Sequence, residues 1–283
     1  MANYVVNDEG KIAVNLAFQP IIYTTVYGPD LYYECLSIFL ESLIRYGGYV
    51  GPIVIFSDRS IADVGGYIPE SAASQISLVS IGHRNYSQRY VSENFDMTNF
   101  SPIVYFDNDI IFDLEFDPIL RRVGDSCGVC VVTEDEVYPD LASKKVKDIL
   151  DERRIGNWWG LDIIKSDPNC WTKVFPLANS GVIGFSDYYA FNTVGRLVFD
   201  LFNSKPNQSL AKWFGDQPFL NYALVRTGFG EYETLRHTCH LLGSSESFPK
   251  ERRGLAHFNW ARNEDKPSRM KAYMDYLELH KDS

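Results

Sequence analysis

Asp107 and Asp109 flank Asn108 directly after the apolar run Ile103–Phe106. In an extended segment residues i and i+2 project to the same side, so these two carboxylates can converge on one hard cation, Mg²⁺ or Mn²⁺, that keeps open positions for phosphate oxygens. A solvated acidic stretch is the competing reading, because Asp113, Glu115 and Asp117 repeat the alternation a few residues on. Cys127 and Cys130 have the spacing of a zinc pair, and His237, Cys239 and His240 stand further along to complete such a site. The pair falls inside an apolar strand, however, where i and i+3 face opposite ways, which favours buried thiols. Neither G-x-G-x-x-G, nor G-x-x-x-x-G-K-[ST], nor G-x-S-x-G occurs in the chain. A parallel sheet without them must hold its ligand by other means at the carboxyl ends of its strands.

The elements that would position these residues follow an α/β alternation. Ile21–Val26 predicts a strand, Gly28-Pro29-Asp30 a turn, and the three-and-four spacing of Leu31, Cys35, Ile38, Phe39 and Leu43 a helix through Arg45, ended by Gly47-Gly48. Ile53–Phe56, Ile76–Ile81, Ile103–Phe106, Ile110–Phe112 and Gly128–Thr133 predict further buried strands, with a helical stretch around Arg89 to Phe95 between them. Runs this uniformly apolar indicate a Rossmann-like, mostly parallel central sheet flanked by helices on both faces. Beyond Asp140 the pattern predicts a charged helix over Ala142–Arg154, a Trp-rich loop at Asn157–Gly160, a strand at Gly181–Phe185, and helices near Tyr188–Phe202 and Gln217–Val225. With no linker or repeat in view, one continuous domain over residues 1–283 with a C-terminal, acceptor-side elaboration is expected.

Composition sets the partners that this expectation excludes. The 283 residues carry a net charge of −10, which argues against nucleic acid and against anionic membrane surfaces. The first residues have neither a basic nor an apolar leader region, and no apolar run reaches the ~18 residues that cross a bilayer, so a cytoplasmic chain with no integral membrane segment is expected. Five widely spread cysteines fit a reducing compartment. The charge is uneven: residues 92–140 hold 12 acids against two arginines, whereas Pro249–Lys271 holds seven Lys and Arg against three acids. An acidic strand edge that holds a cation, faced by a basic segment, would let an acidic protein bind phosphate.

Several further stretches fall in the order seen in one family. Ser87-Gln88-Arg89-Tyr90 precedes Asp107-Asn108-Asp109 by about a helix, and Leu177–Phe185 holds Asn179-Ser180-Gly181. Gly215-Asp216-Gln217-Pro218-Phe219-Leu220-Asn221 follows, then Leu255-Ala256-His257-Phe258-Asn259 with Lys266-Pro267. Together these resemble the GT-A fold glycosyltransferases, in particular glycosyltransferase family 8, across residues 21 to about 270. The resemblance implies a nucleotide-sugar-binding part over about 20–140 and an acceptor-side part over about 141–283. It implies a metal, Mn²⁺ or Mg²⁺, on Asp107, Asp109 and His257, and a donor, UDP-linked, held also by Thr24, Thr25, Tyr27, Arg89, Asn108, Ser180, Gly181 and Lys266. Asn179, Asp216 and Gln217 would lie at the donor sugar, whose configuration the family retains. Val26 stands where the family has an acidic residue, and Trp260 where it has Gly.

For Glu134 and Asp135, contact with a sugar and plain solvation at a strand end both remain open, as do acceptor stacking and loop packing for Trp158 and Trp159. The expected activity is transfer of a hexose-like sugar to a saccharide or other hydroxyl acceptor. Two other classes compete, a sugar nucleotidyltransferase and a non-catalytic carbohydrate-binding protein. The first is opposed by Tyr27-Gly28-Pro29-Asp30, which lacks the basic loop such enzymes carry after their first strand.

Overall fold

The computed structural model describes residues 3–6, 12–15, 18–81, 86–90 and 95–280. Two short strands, β1 (Asn3–Val6) and β2 (Ile12–Asn15), pair antiparallel ahead of the main body. β3 (Ile21–Val26) then runs through the centre, and Gly28, at φ +97°, turns the chain in a conformation that side chains disfavour. α1 (Asp30–Arg45) follows with an acid in its first turn and a base in its last, the sense its dipole favours. β4 (Ile53–Ser57), α2 (Ile61–Gly65, capped by the Ser60 side chain) and β5 (Ile76–Ser80) continue the alternation. Tyr86–Tyr90 is a single 3₁₀ turn, and residues 91–94 of the helical stretch expected there lie outside the described residues.

β6 (Ile103–Phe106) and β7 (Ile110–Phe112) come next, then α3 (Asp117–Asp125), β8 (Val129–Thr133), α4 (Leu161–Ser166) and β9 (Ala178–Phe185). α5 (Tyr188–Asn203), α6 (Gln208–Phe214), α7 (Gln217–Thr227), β10 (Gly230–Glu231), β11 (Cys239–Gly243), β12 (Leu255–Trp260) and α8 (Lys266–Leu279) complete the chain.

The seven-stranded sheet has the order β10-β8-β9-β6-β3-β4-β5 and is parallel except for β9, which is antiparallel to both neighbours. Alternate residues of each central strand feed two cores. Ile22, Val104 and Phe106 pack with α1 and α3, whereas Tyr23, Tyr105 and Ile183 pack with α5 and α7. Burial on both faces accounts for the unbroken apolar runs. β5 departs from the expected buried strand: it lies at the sheet edge and is only half-buried.

A second sheet, β11-β12-β7, was not expected from the sequence. β12 pairs parallel with β11 and antiparallel with β7, and α8 packs over it against α1 through Met270, Tyr273 and Leu277. The chain thus leaves the main sheet at β6 and enters the small one at β7, with only Asp107, Asn108 and Asp109 between them.

The charged helix expected over Ala142–Arg154 is not formed. Lys145 bridges Val174, and Lys147 N–H and Phe175 N–H bond to Trp171 and Lys144 carbonyls across that pairing. Val146, Ile149 and Ile155 are thereby buried with Trp159, Leu161 and Ile164 in a satellite core, and this packing overrides the helix propensity of the stretch.

The start of β9 is held by the fully buried Asn221 of α7. Its side chain accepts from Ala178 N–H (2.9 Å) and donates to the carbonyls of Ala178 (2.9 Å) and Gln217 (2.9 Å). Asn221→Ala leaves the two Ala178 groups buried without partners and is expected to lower unfolding free energy by about 2–4 kcal/mol. Urea denaturation measures it; a loss below about 0.5 kcal/mol would mean that β9 is held by other contacts.

Candidate functional site

Asp107 and Asp109 sit where β6 hands over to β7, at the carboxyl end of a fully buried strand. Asp107 N–H donates to Gly181 O (2.8 Å), which ties the turn to β9. On the small sheet β12 pairs with β7 so that His257 lies opposite Ile110, and Phe258 N–H donates to Asp109 O (3.0 Å). His257 is thereby delivered from far along the chain, with Nε2 3.2 Å from Asp109 Oδ1 and 3.9 Å from Asp107 Oδ2. One ligand atom from each of the three residues lies within 4.8 Å of the others.

This trio fits a divalent cation on three counts. The donor set is two carboxylates and an imidazole, which suits Mn²⁺ or Mg²⁺ together with phosphate oxygens. Asp109 Oδ1 is buried 3.2 Å from His257 Nε2 without a well-formed hydrogen bond among the described residues, so the two groups face a common point that an ion would share. Thirdly, a Cβ on Gly181 would collide with His257 Cε1 and lie 3.0 Å from Asp107 Oδ2, so only glycine leaves the trio its space. His257 Nδ1 is buried and unpartnered, so its ring lacks the second hydrogen bond that usually orients a ligating histidine. Packing fixes it instead.

Cations oppose the acids from two sides. Lys266, on the first turn of α8, donates to Asp109 Oδ2 (2.6 Å). Burial pushes the Asp109 carboxyl up, but His257 and Lys266 outweigh it and hold the group well below the usual carboxylate range. For Lys266 burial disfavours the charge, and Asp109 more than compensates, raising the ammonium above its ordinary value.

Arg89 is only 4% exposed. Its guanidinium lies 3.2 Å from Asp107 and 3.4 Å from Asp216, donates to Ser180 O (3.0 Å), and stacks on the Tyr105 ring. Tyr105 donates to Asp107 Oδ1 (2.6 Å) and Tyr90 to Asp216 Oδ2 (2.5 Å). Burial raises the Asp216 carboxyl despite Arg89.

Asp107, Asp109, His257, Lys266, Arg89 and Asp216 line a cleft of about 630 Å³ that also includes Glu134, Asn179, Ser180 and Gln217. Glu134 is buried, which raises its carboxyl, and it accepts from Asn179 Nδ2 (2.8 Å), while Asn179 Oδ1 accepts from Gly181 N–H (2.8 Å). Gln217 accepts from Ser180 N–H (3.2 Å). Asp135 faces elsewhere: it accepts from Thr133 and pairs with Arg236 at 2.9 Å. Thr24, Thr25 and Tyr27 lie beside the cleft rather than on its lining. Thr24 Oγ1 is buried without a partner, Thr25 meets Tyr105 Oη at 3.2 Å, and the Tyr27 ring meets Tyr86 edge-on. Asn108 is half-buried in the turn between its acidic neighbours.

Trp159 is buried against Tyr138, whereas Trp158 is exposed and lines the cleft. Of the seven basic residues in Pro249–Lys271, Lys266 lines the cleft. Arg252 bonds carbonyls at the end of α8, Arg253 pairs with Glu136, and Arg269 bonds Glu246 O. Arg252, Arg253 and Arg269 thus answer to neighbours outside the cleft, and Lys266 is the Lys or Arg of this segment on its lining. Cys127 is exposed and Cys130 buried, the latter pushed up to about 12 by burial, so they do not form a thiolate pair.

Tyr105 and Tyr90, which brace the acids, had not been singled out from the sequence. An unusual tyrosine on a strand otherwise of Ile, Val and Phe was the available signal. Neither a family model nor a curated protein matches this chain.

Two substitutions test the trio. Gly181→Ala pushes on the His257 ring and is expected to weaken Mn²⁺ binding by about tenfold or more while the fold persists. Lys266→Met removes a cation that stands against the incoming ion. Unit charges about 4 Å apart repel by ~4 kcal/mol at an effective dielectric of ~20, so affinity for Mn²⁺ alone is expected to rise by about tenfold or more. Electron paramagnetic titration of free Mn²⁺ reads both, and unchanged affinity in the two variants would move the ion away from Asp109.

Proposed function

We propose that this chain is a metal-dependent glycosyltransferase of the GT-A type, transferring a sugar from a nucleoside diphosphate donor, UDP-linked, to a saccharide or other hydroxyl acceptor. The observation that carries this reading is the convergence of Asp107, Asp109 and His257 at the carboxyl end of a central strand, with Asp109 Oδ1 buried 3.2 Å from His257 Nε2.

The position of the cleft supports it. β4 and β5 lie on one side of β3, and β6 on the other, so the strand order reverses between β3 and β6. Open α/β sheets bind ligands in the crevice at such a point. Tyr27, just past β3, and Asp107, just past β6, flank it. The charge also supports it: Asp107, Asp109, Glu134 and Asp216 line the cleft against Arg89, Lys212 and Lys266, and Asp107 and Asp109 converge with His257 where a cation would sit.

A bound divalent ion supplies charge stabilisation for the departing diphosphate. The chain's own groups do the rest. Lys266 is placed to exchange its contact with Asp109 for a phosphate oxygen, while Arg89 holds Asp107 and Asp216 in place. Asn179 and Glu134 offer a polar floor for sugar hydroxyls, and Gly181 keeps that floor low. Gln217, tied through its side-chain carbonyl to Ser180 N–H, lines the same cleft.

Calorimetric titration with UDP, GDP and CMP, in Mn²⁺ and in chelator, tests the proposal. UDP is expected to bind only with metal, and Asp109→Asn to weaken that binding by at least about tenfold, ~1.4 kcal/mol. Metal-independent binding, or none by any of the three nucleotides, would overturn it.

A further inference from the structure

Four of the chain's five tryptophans, Trp158, Trp159, Trp213 and Trp260, line the same cleft as the acidic trio. They come from three separate places: the loop before α4, the last turn of α6, and the end of β12. Three are largely uncovered, Trp158 at 53%, Trp213 at 71% and Trp260 at 47% exposure. The fifth, Trp171, lies away from the cleft and donates its indole N–H to Lys165 O, so it needs no ligand to explain it. Indole is the largest apolar side chain and seldom stands exposed in numbers at one site without a partner to cover it.

Two unsatisfied polar atoms accompany the rings. Trp159 is nearly buried, and its Nε1 donor has no partner. Asn259, between His257 and Trp260, has a buried Oδ1 acceptor that is likewise unpartnered. Both residues line the cleft. A ligand that covers indole faces and also supplies an acceptor to one group and a donor to the other matches this lining. Sugars do so: the C–H face of a pyranose stacks on indole, and its hydroxyls both donate and accept.

From these observations we infer that the outer cleft is a platform for a neutral oligosaccharide of at least two pyranose rings, with Trp158, Trp213 and Trp260 as its stacking surfaces and Trp159 Nε1 and Asn259 Oδ1 as hydroxyl partners. The ligand is neutral because the outer lining offers an acidic sugar little net attraction: Asp107, Asp109, Glu134 and Asp216 stand against Arg89, Lys212 and Lys266 in the same cleft. More than one ring is required because a pyranose has only two faces for three indole planes. Trp158 is held in place by Phe214, whose ring it meets edge-on at 5.3 Å, so α6 and the loop before α4 form one side of the platform and β12 another. The inference deepens the transferase reading by assigning its acceptor, and rests on that reading for the transfer step but not for sugar binding.

The test is an array of neutral oligosaccharides of one to six rings, followed by titration of tryptophan fluorescence with the best series. Binding is expected to strengthen at least tenfold from one ring to three. Trp213→Ala and Trp260→Ala, both exposed and so harmless to the fold, are each expected to weaken it about tenfold or more while leaving the Mn²⁺–UDP isotherm unchanged. No retained oligosaccharide, equal affinity for one ring and three, or indifference to both substitutions would overturn the platform, even with nucleotide binding intact. Loss of all nucleotide binding with oligosaccharide binding retained would instead overturn the transferase reading and leave the platform standing.

Discussion

Burying several carboxylates beside one another is the constraint to which the rest of this molecule answers. A desolvated carboxylate is costly unless charge or hydrogen bonds meet it, and like neighbours raise that cost. Asp107, Asp109, Glu134 and Asp216 line one cleft, and each has a named compensation: Tyr105 and Arg89 for Asp107, Lys266 for Asp109, Asn179 for Glu134, Tyr90 and Arg89 for Asp216. Arg89 serves two acids and also caps the Ser180 carbonyl, so one guanidinium couples the 3₁₀ turn before β6, the end of β6, β9 and the start of α7. Removing it would expose two carboxylates at once, which is why a charge this buried is retained.

The second organising feature is the junction between the sheets. A chain that continued straight from β6 would carry Asp109 along the main sheet. It crosses to the small sheet instead, where pairing of β7 with β12 sets His257 beside the acids. β9, reversed against its neighbours, puts its first residues rather than its last at the same edge, and so contributes Asn179, Ser180 and Gly181. The site is thus assembled from strand register more than from loops, which fixes its groups to the rigid parts of the fold.

How much of this was legible in the sequence depends on the kind of signal. The buried strands β3, β4, β6 and β8 and the helix α1 announce themselves by unbroken apolar runs and by periodicity, because each is covered on both faces or along one stripe. Asp107 and Asp109 were readable because their spacing places them together locally. The small sheet was not, since β11 and β12 acquire meaning only through pairing partners distant in the chain. α8 gives a weak signal: Met270, Tyr273, Met274 and Leu277 recur at three and four residues, but Ala272, Tyr276 and Leu279 on the other faces blur the stripe. Ala142–Arg154 failed for the opposite reason, its helical composition being outweighed by backbone pairing with the segment around Val174.

Charge distribution shows the same limit of one-dimensional reading. Counting along the chain makes Pro249–Lys271 look like a basic face opposed to an acidic strand edge, but side chains answer to their neighbours in space. Arg252 and Arg269 bond backbone carbonyls, Arg253 meets Glu136, and Lys266 reaches Asp109 from the first turn of α8. Eight residues separate His257 from Lys266, and the 3₁₀ turn Asn263–Asp265 folds that interval back so that α8 begins at the cleft. The site therefore gains one cation from this segment rather than a field, and that largely buried ammonium sits on the acid whose other oxygen faces His257. With one oxygen of Asp109 held by Lys266 and the other facing His257, an ion arriving between the acids would displace the ammonium, whose four-carbon stem gives it a path toward a phosphate oxygen.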